Sequence, residues 1–416
     1  MHSRKKTVSL VLILAVLAVL FMGARGKQKG AVQSAGLPSD ALPYAVRGPY
    51  SVGIRELVIG SDTLLQLTLW YPGLNEDHSE EEITYRYQIK MSDPIGAITF
   101  ATFAGKATRD APYDLSMAPY PLVILSPGFS ISSSAYAWLA EHLASYGFVV
   151  LAPEHREHLD PENQLWRAAI TRPQDILTVL SFVDEQVEPG DSLAGLLDKE
   201  HVAVIGHSYG GYTSLAAAEA RFDTEGFKSH CQEAQEANQP GAWLCEQLVP
   251  HMTDMASLAG LDSVPTDLWP AWANGRVDAI VSMAGDAFFF GQAGLAEITV
   301  PVMAIGGTSD SDSPYLWGTY PTYEYVSSPR KVRIALTDAE HMIFTAPCES
   351  ITWFLKFFSG EFCSDAGWNR YYAHTLVKHF ATAFLLAELQ RDRDAAAALT
   401  PEAIHFPDVT YDAQGY

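Results

Sequence analysis

The sequence predicts an α/β fold with a doubly wound, mostly parallel sheet. Apolar runs of strand length alternate with helical segments along the chain, as they do in parallel sheets with right-handed crossovers. Runs such as 121–126 and 148–153 are continuously apolar, which is typical of strands buried on both faces. A glycine–serine turn at 206–210 joins one such strand to a helix of small residues.

Composition limits the possible partners. The 416 residues allow one large domain or two smaller ones, and a hydrophobic content of 48% supports a full core. The net charge of −22 opposes binding of nucleic-acid phosphates and of anionic membrane surfaces. We therefore expect no nucleic-acid partner and no tight membrane association of the folded domain. The composition leaves the oligomeric state open.

The first 26 residues have the pattern of an export signal or N-terminal anchor. Residues 4–6 are basic, an apolar run extends from Val8 to Met22, and small residues at 24 and 26 offer cleavage points. The run is short for a transmembrane helix, which needs about 20 residues. Basic residues follow the run, so a membrane anchor that is not cleaved is the alternative. We expect an exported protein, periplasmic or secreted, with a flexible leader over 27–42.

Four cysteines in an exported chain predict disulfides. The sequence permits three pairings. The local ones, Cys231 with Cys245 and Cys348 with Cys363, close short loops and are the expected pair. None of the four has the close spacing of a zinc site, so no metal is predicted there.

The N-terminal part predicts strands followed by an irregular region. Residues 50–59 and 64–72 are strand-like and are joined by a turn at 60–62, which predicts an antiparallel pair. An acidic surface loop follows at 73–82. Residues 83–120 mix Ala, Thr, Phe, Gly and Pro without a period, so we expect a loop with a short helix there.

The rest of the chain alternates strands with helices in one domain expected over 43–400, with a C-terminal tail over 401–416. Residues 222–275 contain three tryptophans and no strand signal. They predict a helical insertion over the sheet edge where ligands bind. Strands are expected at 121–126, 148–153, 202–206, 277–283, 300–307 and 331–336, and helices at 138–145, 167–186 and 368–390.

The turn Gly206-His207-Ser208-Tyr209-Gly210 predicts a nucleophilic serine. With a strand before it and a helix after it, the turn has the G-x-S-x-G context of a nucleophile elbow. The two glycines remove side chains that would collide with the neighbouring strand and helix. Ser208 is then strained and displayed at a helix N-terminus, where developing negative charge is favoured. The alternative is an ordinary glycine-rich turn in a parallel sheet.

A serine nucleophile needs a base and an orienting acid. Loops after successive parallel strands meet at one sheet edge, so both partners should follow later strands. His341 follows the last expected strand and is the predicted base. Asp310 is the predicted acid, with Asp312 as the close alternative and Asp286 as a weaker one. The order Ser208, Asp310, His341 is that of a hydrolase triad.

The oxyanion of an acyl-transfer intermediate needs two donors. We predict the backbone N–H groups of Tyr209, at the head of the helix, and Phe129, in the loop after strand 121–126. Gly128 allows the close backbone approach. The side chains of Phe129 and Tyr209 either line the substrate pocket or pack in the core.

Two other histidine-bearing features are expected to be structural. His207 leaves the tight turn in a different direction from Ser208, so we expect it to pack under the turn rather than act as the base. The run 154–158, Glu-His-Arg-Glu-His, follows a strand and lacks the spacing of a zinc helix. We expect it to form a polar network that supports the strand edge.

These residues together resemble the bacterial α/β-hydrolases related to platelet-activating-factor acetylhydrolase, often labelled predicted dienelactone hydrolases. The resemblance implies an α/β-hydrolase fold and a Ser–Asp–His esterase without a cofactor, and it supports Asp310 over Asp312. Dienelactone hydrolases use a cysteine where this chain has Ser208, so that activity is not expected. The matching stretches are 52–53, 70–72, 125–129, 147–150, 154–156, 172–176, 206–211 and 339–341.

The expected function is a serine carboxylic-ester hydrolase with an acyl-Ser208 intermediate, acting on short-acyl esters of small molecules or lipids. Acyl transfer to an alcohol uses the same intermediate and stays open. Hydrolysis of polyesters or lactones also stays open, because cutinase-like enzymes share the Ser-Pro-Gly loop. The alternative from another class is a non-catalytic binding protein on the same fold.

Overall fold

The computed structural model describes residues 42–60, 64–187, 190, 192–358, 362–363, 365 and 367–416. The expected export signal or anchor and the leader up to residue 41 lie outside the described residues. Leu42, at the end of that leader, is buried in the core. In the described ranges no helix combines the length and the apolarity needed to cross a membrane.

Ten strands of the described chain form one sheet, in the order β13-β11-β10-β9-β8-β6-β7-β2-β1-β5. Three others form a small second sheet, in the order β12-β4-β3. The strands are β1 (Ser51–Ile59), β2 (Leu65–Gly73), β3 (Ile83–Lys90), β4 (Ala97–Gly105), β5 (Thr108–Arg109), β6 (Tyr120–Ser126), β7 (Val149–Glu154), β8 (Leu197–His207), β9 (Ala279–Met283), β10 (Val302–Gly307), β11 (Lys331–Leu336), β12 (Ser350–Ile351) and β13 (Val409–Gln414).

The centre of the large sheet is parallel, as predicted. Strands β7, β6, β8, β9, β10 and β11 pair parallel with their neighbours. On one side, β2 pairs antiparallel with both β7 and β1, which confirms the antiparallel N-terminal pair. The carboxyl ends of the parallel strands therefore share one edge, and the loops that carry the candidate site leave from it.

Helices cover both faces of the large sheet. Successive residues of β6 show this, because Leu122 and Ile124 belong to one buried cluster and Val123 and Leu125 to the other. The helices are α1 (Ala137–Ser145), α2 (Pro161–Gln186), α3 (Tyr209–Ala217), α4 (Thr224–Glu236), α5 (Ala242–Leu248), α6 (Met252–Leu258), α7 (Gly291–Leu295), α8 (Thr319–Tyr325), α9 (Arg370–Leu389) and α10 (Arg393–Ala397).

The insertion predicted after the elbow helix is present as α4, α5 and α6. A disulfide between Cys231 and Cys245, with Cα atoms 5.4 Å apart, ties α4 to α5. The second disulfide joins Cys348 to Cys363, with Cα atoms 5.6 Å apart. Both local pairings are thereby confirmed.

Two stretches differ from their predicted structure. Residues 83–120 were expected to be a loop with a short helix, but β3 and β4 form an antiparallel hairpin there. Ile83, Tyr85 and Tyr87 of β3 are buried and alternate with more exposed polar residues, so the strand follows a two-residue period. Residues 401–416, expected to be a tail, contribute β13, which pairs antiparallel with β11 at the sheet edge.

Candidate active site

The elbow between β8 and α3 has the strained geometry that the glycine–serine turn predicts. Ser208 has φ 58° and ψ −124°, a backbone conformation that costs a non-glycine residue free energy. A Cβ atom at Gly206 would lie 1.9 Å from the carbonyl oxygen of Gly210. A Cβ atom at Gly210 would lie 2.0 Å from the carbonyl oxygen of Ser126. Neither position therefore tolerates a side chain without moving the backbone.

The structure brings His341 and Asp310 together. Asp310 lies in the loop after β10, and His341 opens the 3-10 turn at 341–344 after β11. The Nδ1 atom of His341 lies 2.7 Å from Oδ2 of Asp310. Because a carboxylate only accepts, this contact places the proton of the neutral imidazole on Nδ1, so that Nε2 is the basic nitrogen of that form.

The carboxylate of Asp310 is itself fixed by its own loop. Its Oδ1 atom accepts the backbone N–H groups of Asp312, at 3.0 Å, and Ser313, at 2.8 Å. Asp312, the alternative acid, lines a cavity that Ser208 and His341 also line. Asp286, the weaker candidate, is buried and accepts the Ser313 hydroxyl at 2.7 Å. Asp310 is the carboxylate in direct contact with the imidazole.

Charges around His341 change its proton affinity. Burial alone lowers the pKa of His341, but the charge and hydrogen bond of Asp310, followed by the charges of Asp312 and Asp286, outweigh it and raise the pKa to about 9. Burial raises the pKa of Asp286 to about 7, against the hydrogen bond from Ser313. Burial likewise raises the pKa of Asp312. Three carboxyl groups thus favour the protonated form of this imidazole.

Ser208 and His341 line the same cavity. Its wall is largely apolar and includes Ile89 of β3, Leu165 of α2 and Trp243 of the insertion. The insertion therefore forms part of the wall of this cavity. Phe129 and Tyr209 also line the cavity, and their rings meet edge to face with centroids 6.0 Å apart.

The two predicted oxyanion donors occur where local structure leaves an N–H group unused. Tyr209 is the first residue of α3, and the first N–H groups of a helix have no intrahelical partner. Phe129 lies in a turn closed by the N–H of Ile131 and the carbonyl of Gly128, 3.2 Å apart, with Ser130 at φ 58°. That turn bond does not involve the N–H of Phe129.

His207 lies under the elbow, as expected from the turn. Its side chain is fully buried, and burial, followed by the charge of His341, holds its pKa well below the usual value. Its Nε2–H donates to the backbone carbonyl of His341 at 3.1 Å. The hydroxyl of Tyr136 donates to its Nδ1 at 2.8 Å. The neutral ring thus connects the elbow to the loop that carries His341.

The run 154–158 forms a polar network that extends into α2. His155 donates from Nδ1 to Asp175 at 2.8 Å and accepts the hydroxyl of Ser126 at 2.9 Å. Arg172 of α2 is fully buried and pairs with Glu157 at 2.6 Å. Sequence reasoning included 172–176 among the matching stretches but assigned Arg172 no role. Among the described residues, no group of three or more His, Cys, Asp or Glu is arranged to hold a metal ion.

Comparison with known proteins matches parts of the chain to two families. The family "PET hydrolase-like" matches residues 101–231, and "Platelet-activating factor acetylhydrolase, isoform II" matches residues 36–160. The first match covers Phe129 and Ser208. Both end before Asp310 and His341, so the comparison of families does not bear on the acid and the base.

Individual relatives are similar over limited stretches. The bis(hydroxyethyl) terephthalate hydrolase of Streptomyces coelicolor is 32% identical, over 28% of this chain and 34% of that protein. The platelet-activating factor acetylhydrolase of Cavia porcellus is 28% identical, over 40% of this chain and 50% of that protein. Cutinase est1 of Thermobifida alba is 32% identical, over 25% of this chain and 32% of that protein. The chain thus matches 32% to 50% of the length of these relatives.

Proposed function

We propose that this chain, which belongs to the α/β-hydrolase superfamily, is a serine carboxylic-ester hydrolase. The observation that carries the proposal is the strained Ser208 on a cavity shared with His341, whose Nδ1 lies 2.7 Å from Asp310. The relatives support it, since their names describe hydrolases of esters. Ser208, His341 and Asp310 are assigned as nucleophile, base and acid.

The reaction proceeds through an acyl-enzyme. The hydroxyl oxygen of Ser208 attacks the ester carbonyl while Nε2 of His341 takes its proton. The oxyanion accepts hydrogen bonds from the N–H groups of Tyr209 and Phe129. The ester C–O bond then breaks, and His341 returns the proton to the leaving alkoxide. Water, activated by the same histidine, attacks the acyl-Ser208 ester and releases the acid.

Asp310 orients the base and stabilises its charged form. Its carboxylate fixes the imidazole tautomer with the proton on Nδ1, and it lowers the free energy of the imidazolium that forms in each transition state. The two backbone N–H groups that Asp310 accepts keep the carboxylate in place.

The proposed substrate is a short-acyl ester of a small molecule or lipid, in the manner of an acetylhydrolase. The apolar wall of the cavity supports an uncharged acyl group. Hydrolysis of polyesters or lactones is the second candidate, and the match to the PET hydrolase-like family favours it. Acyl transfer to an alcohol would use the same intermediate, with the alcohol in place of water.

The two disulfides support a protein of an oxidising compartment. We therefore propose that the protein is exported and is periplasmic or secreted. The alternative is a chain anchored at the membrane by its uncleaved N-terminal segment.

The assignment is tested by turnover of p-nitrophenyl acetate. Ser208→Ala and His341→Ala should each lower kcat by about 10⁴-fold or more, because triad members act as a unit. Ser257→Ala, an exposed serine of the insertion, is the control and should retain full turnover. Retained activity in Ser208→Ala would exclude the mechanism. A series of longer acyl chains on the wild type separates the candidates, since an acetylhydrolase-like site should lose activity sharply beyond short chains.

A further inference from the structure

The loop that carries Phe129 rests on a buried arginine. Arg172 of α2 has no exposed surface, and its guanidinium donates to the carbonyl oxygens of Pro127, at 2.7 Å, and Gly128, at 3.0 Å. These two carbonyls immediately precede Phe129 in the chain. The planar fork of a guanidinium is suited to fixing two neighbouring acceptors together, which the point charge of a lysine does not do.

The residue on the other side of Phe129 is held by the partner of that arginine. The N–H of Ser130 donates to Oε1 of Glu157 at 3.2 Å, and the same oxygen accepts from Arg172 at 2.6 Å. Burial raises the pKa of Glu157, but the charges of Arg172 and Lys90 outweigh burial and hold the pKa below its usual range. The pair is therefore ionised, and both flanks of Phe129 are tied to it.

A third contact connects this loop to the base. The N–H of Gly128 donates to the hydroxyl oxygen of Tyr136 at 3.1 Å. The hydroxyl of Tyr136 donates in turn to His207, whose other nitrogen donates to the backbone carbonyl of His341. The position of the Phe129 loop and that of the catalytic histidine thus depend on one continuous chain of hydrogen bonds.

Stability alone does not account for a buried Arg–Glu pair. Removing two charges from water has a desolvation penalty that well-packed apolar side chains avoid. An oxyanion donor, in contrast, acts only when it is held close to its final position, because a displacement of about 1 Å can lower a rate by about 100-fold. The charged pair is placed where such a constraint is needed.

We propose that Arg172 is a positioning residue: with Glu157 and Tyr136 it forms an oxyanion-loop cradle that holds the Phe129 N–H at the place where the oxyanion develops. The inference rests on the proposed function, because it assumes that Ser208 forms a tetrahedral intermediate. Arg172 touches the loop and not the substrate. Its effect is therefore on the transition state and not on the binding of the ground state.

The test is Arg172→Lys, which keeps the positive charge but loses the planar guanidinium that donates to two carbonyl oxygens at once. We expect kcat on p-nitrophenyl acetate to fall by about 30- to 300-fold with KM within 2-fold of wild type, the range of losing or displacing one oxyanion donor. Affinity for a trifluoromethyl ketone, which forms a tetrahedral adduct with the serine, should fall by the same factor as kcat/KM. Affinity for the product acid should not change. If Arg172 only stabilised the fold, kcat/KM and affinity for the ketone would not fall together while affinity for the product acid stayed unchanged.

The control is Arg330→Lys, which alters another arginine–carboxylate pair. Arg330 binds Glu388 at 2.7 Å next to the start of β11, at the end of the strand remote from the site, so kcat should be unchanged. If Arg172→Lys does not fold, Tyr136→Phe tests the same cradle, because it removes the hydroxyl that accepts from the N–H of Gly128 and donates to His207. It should lower kcat by about 5- to 20-fold, again with little change in KM.

Two results would contradict the proposed cradle. One is a kcat equal to that of the wild type in Arg172→Lys or Tyr136→Phe, and the other is a higher KM with an unchanged kcat. Either leaves the proposed function intact as long as the wild type is active and Ser208→Ala is not. If the wild type itself shows no turnover and no ketone adduct, the proposed function fails first. The two failures are thus distinguishable.

Discussion

At the scale of the residue, the protonation state of His341 controls the proposed chemistry. The carboxyl groups of Asp310, Asp312 and Asp286 raise its pKa to about 9 against the effect of burial. A histidine with that pKa holds its proton at neutral pH, and only the neutral form takes a proton from Ser208. The same shift stabilises the folded protein below pH 6.5, and this contribution is lost as the pH rises through 9. Activity and this part of stability therefore have opposite pH dependences.

The first prediction is an alkaline activity profile. Because the fraction of neutral His341 increases as pH rises through 9, kcat/KM should increase from pH 6.5 and level off above the inflection. The measurement is initial rate on p-nitrophenyl acetate, corrected for spontaneous hydrolysis at each pH. Asp312→Asn removes one of the raising charges and should move the inflection to lower pH. A wild-type profile with an inflection at 6.5 or below would contradict the assignment of charges around His341.

The choice between Asp310 and Asp312 illustrates what the sequence could predict at this scale. Strand and loop order restrict the acid to the loop after β10, but residues two positions apart have the same topology. The structure distinguishes them because Asp310 accepts the backbone N–H groups of Asp312 and Ser313. That turn directs its other oxygen to His341. The role of Arg172 was likewise not predictable, because its contacts join α2 to a loop more than 40 residues earlier in the chain.

At the scale of the element, a disulfide in the insertion between α3 and β9 lies next to the wall of the cavity. Cys231 of α4 and Cys245 of α5 are both buried, and their disulfide closes a loop with a sequence separation of 14. Trp243 and Leu244 of α5 lie next to that bond and line the cavity. By holding α4 and α5 together, the disulfide therefore also holds this part of the cavity wall in place.

The second prediction concerns that disulfide. Replacing Cys231 and Cys245 together by alanine should lower the free energy of unfolding by about 3 kcal/mol, the chain-entropy value for a closed loop of this length. KM for the ester should rise, while kcat falls little, because the residues of the proposed cradle and triad are on other elements. Urea unfolding and steady-state kinetics measure the two effects. An unchanged unfolding midpoint together with an unchanged KM would show that the bond does not constrain the insertion.

Elements differ in how far the sequence specifies them. Strand β11 was predicted with its observed bounds, Lys331–Leu336, because apolar Val332, Ile334 and Leu336 occupy every second position of a short segment. The hairpin of β3 and β4 was missed because its polar residues face solvent, and a mixed composition hides a two-residue period. Strand β13 was missed because it lies at the sheet edge, where polar residues interrupt the apolar pattern, and its pairing with β11 joins residues far apart in the sequence.

At the scale of the whole molecule, topology assembles the candidate site. Phe129, Ser208, Asp310 and His341 are spread over more than 200 positions of the sequence and follow four different strands, β6, β8, β10 and β11. Those strands are parallel members of one sheet, so their following loops meet at one edge. The parallel order made the site predictable from sequence, whereas the shape of its cavity depends on the insertion and the small sheet.

The central claim is that Ser208 is an activated nucleophile. The most direct measurement is reaction of the purified protein with a fluorophosphonate probe, followed by intact mass and peptide mapping. We predict one adduct per chain, on the peptide that contains Ser208, with no labelling of Ser208→Ala and slowed labelling of His341→Ala. Failure of the folded wild type to react, or an adduct on another residue, would contradict the account.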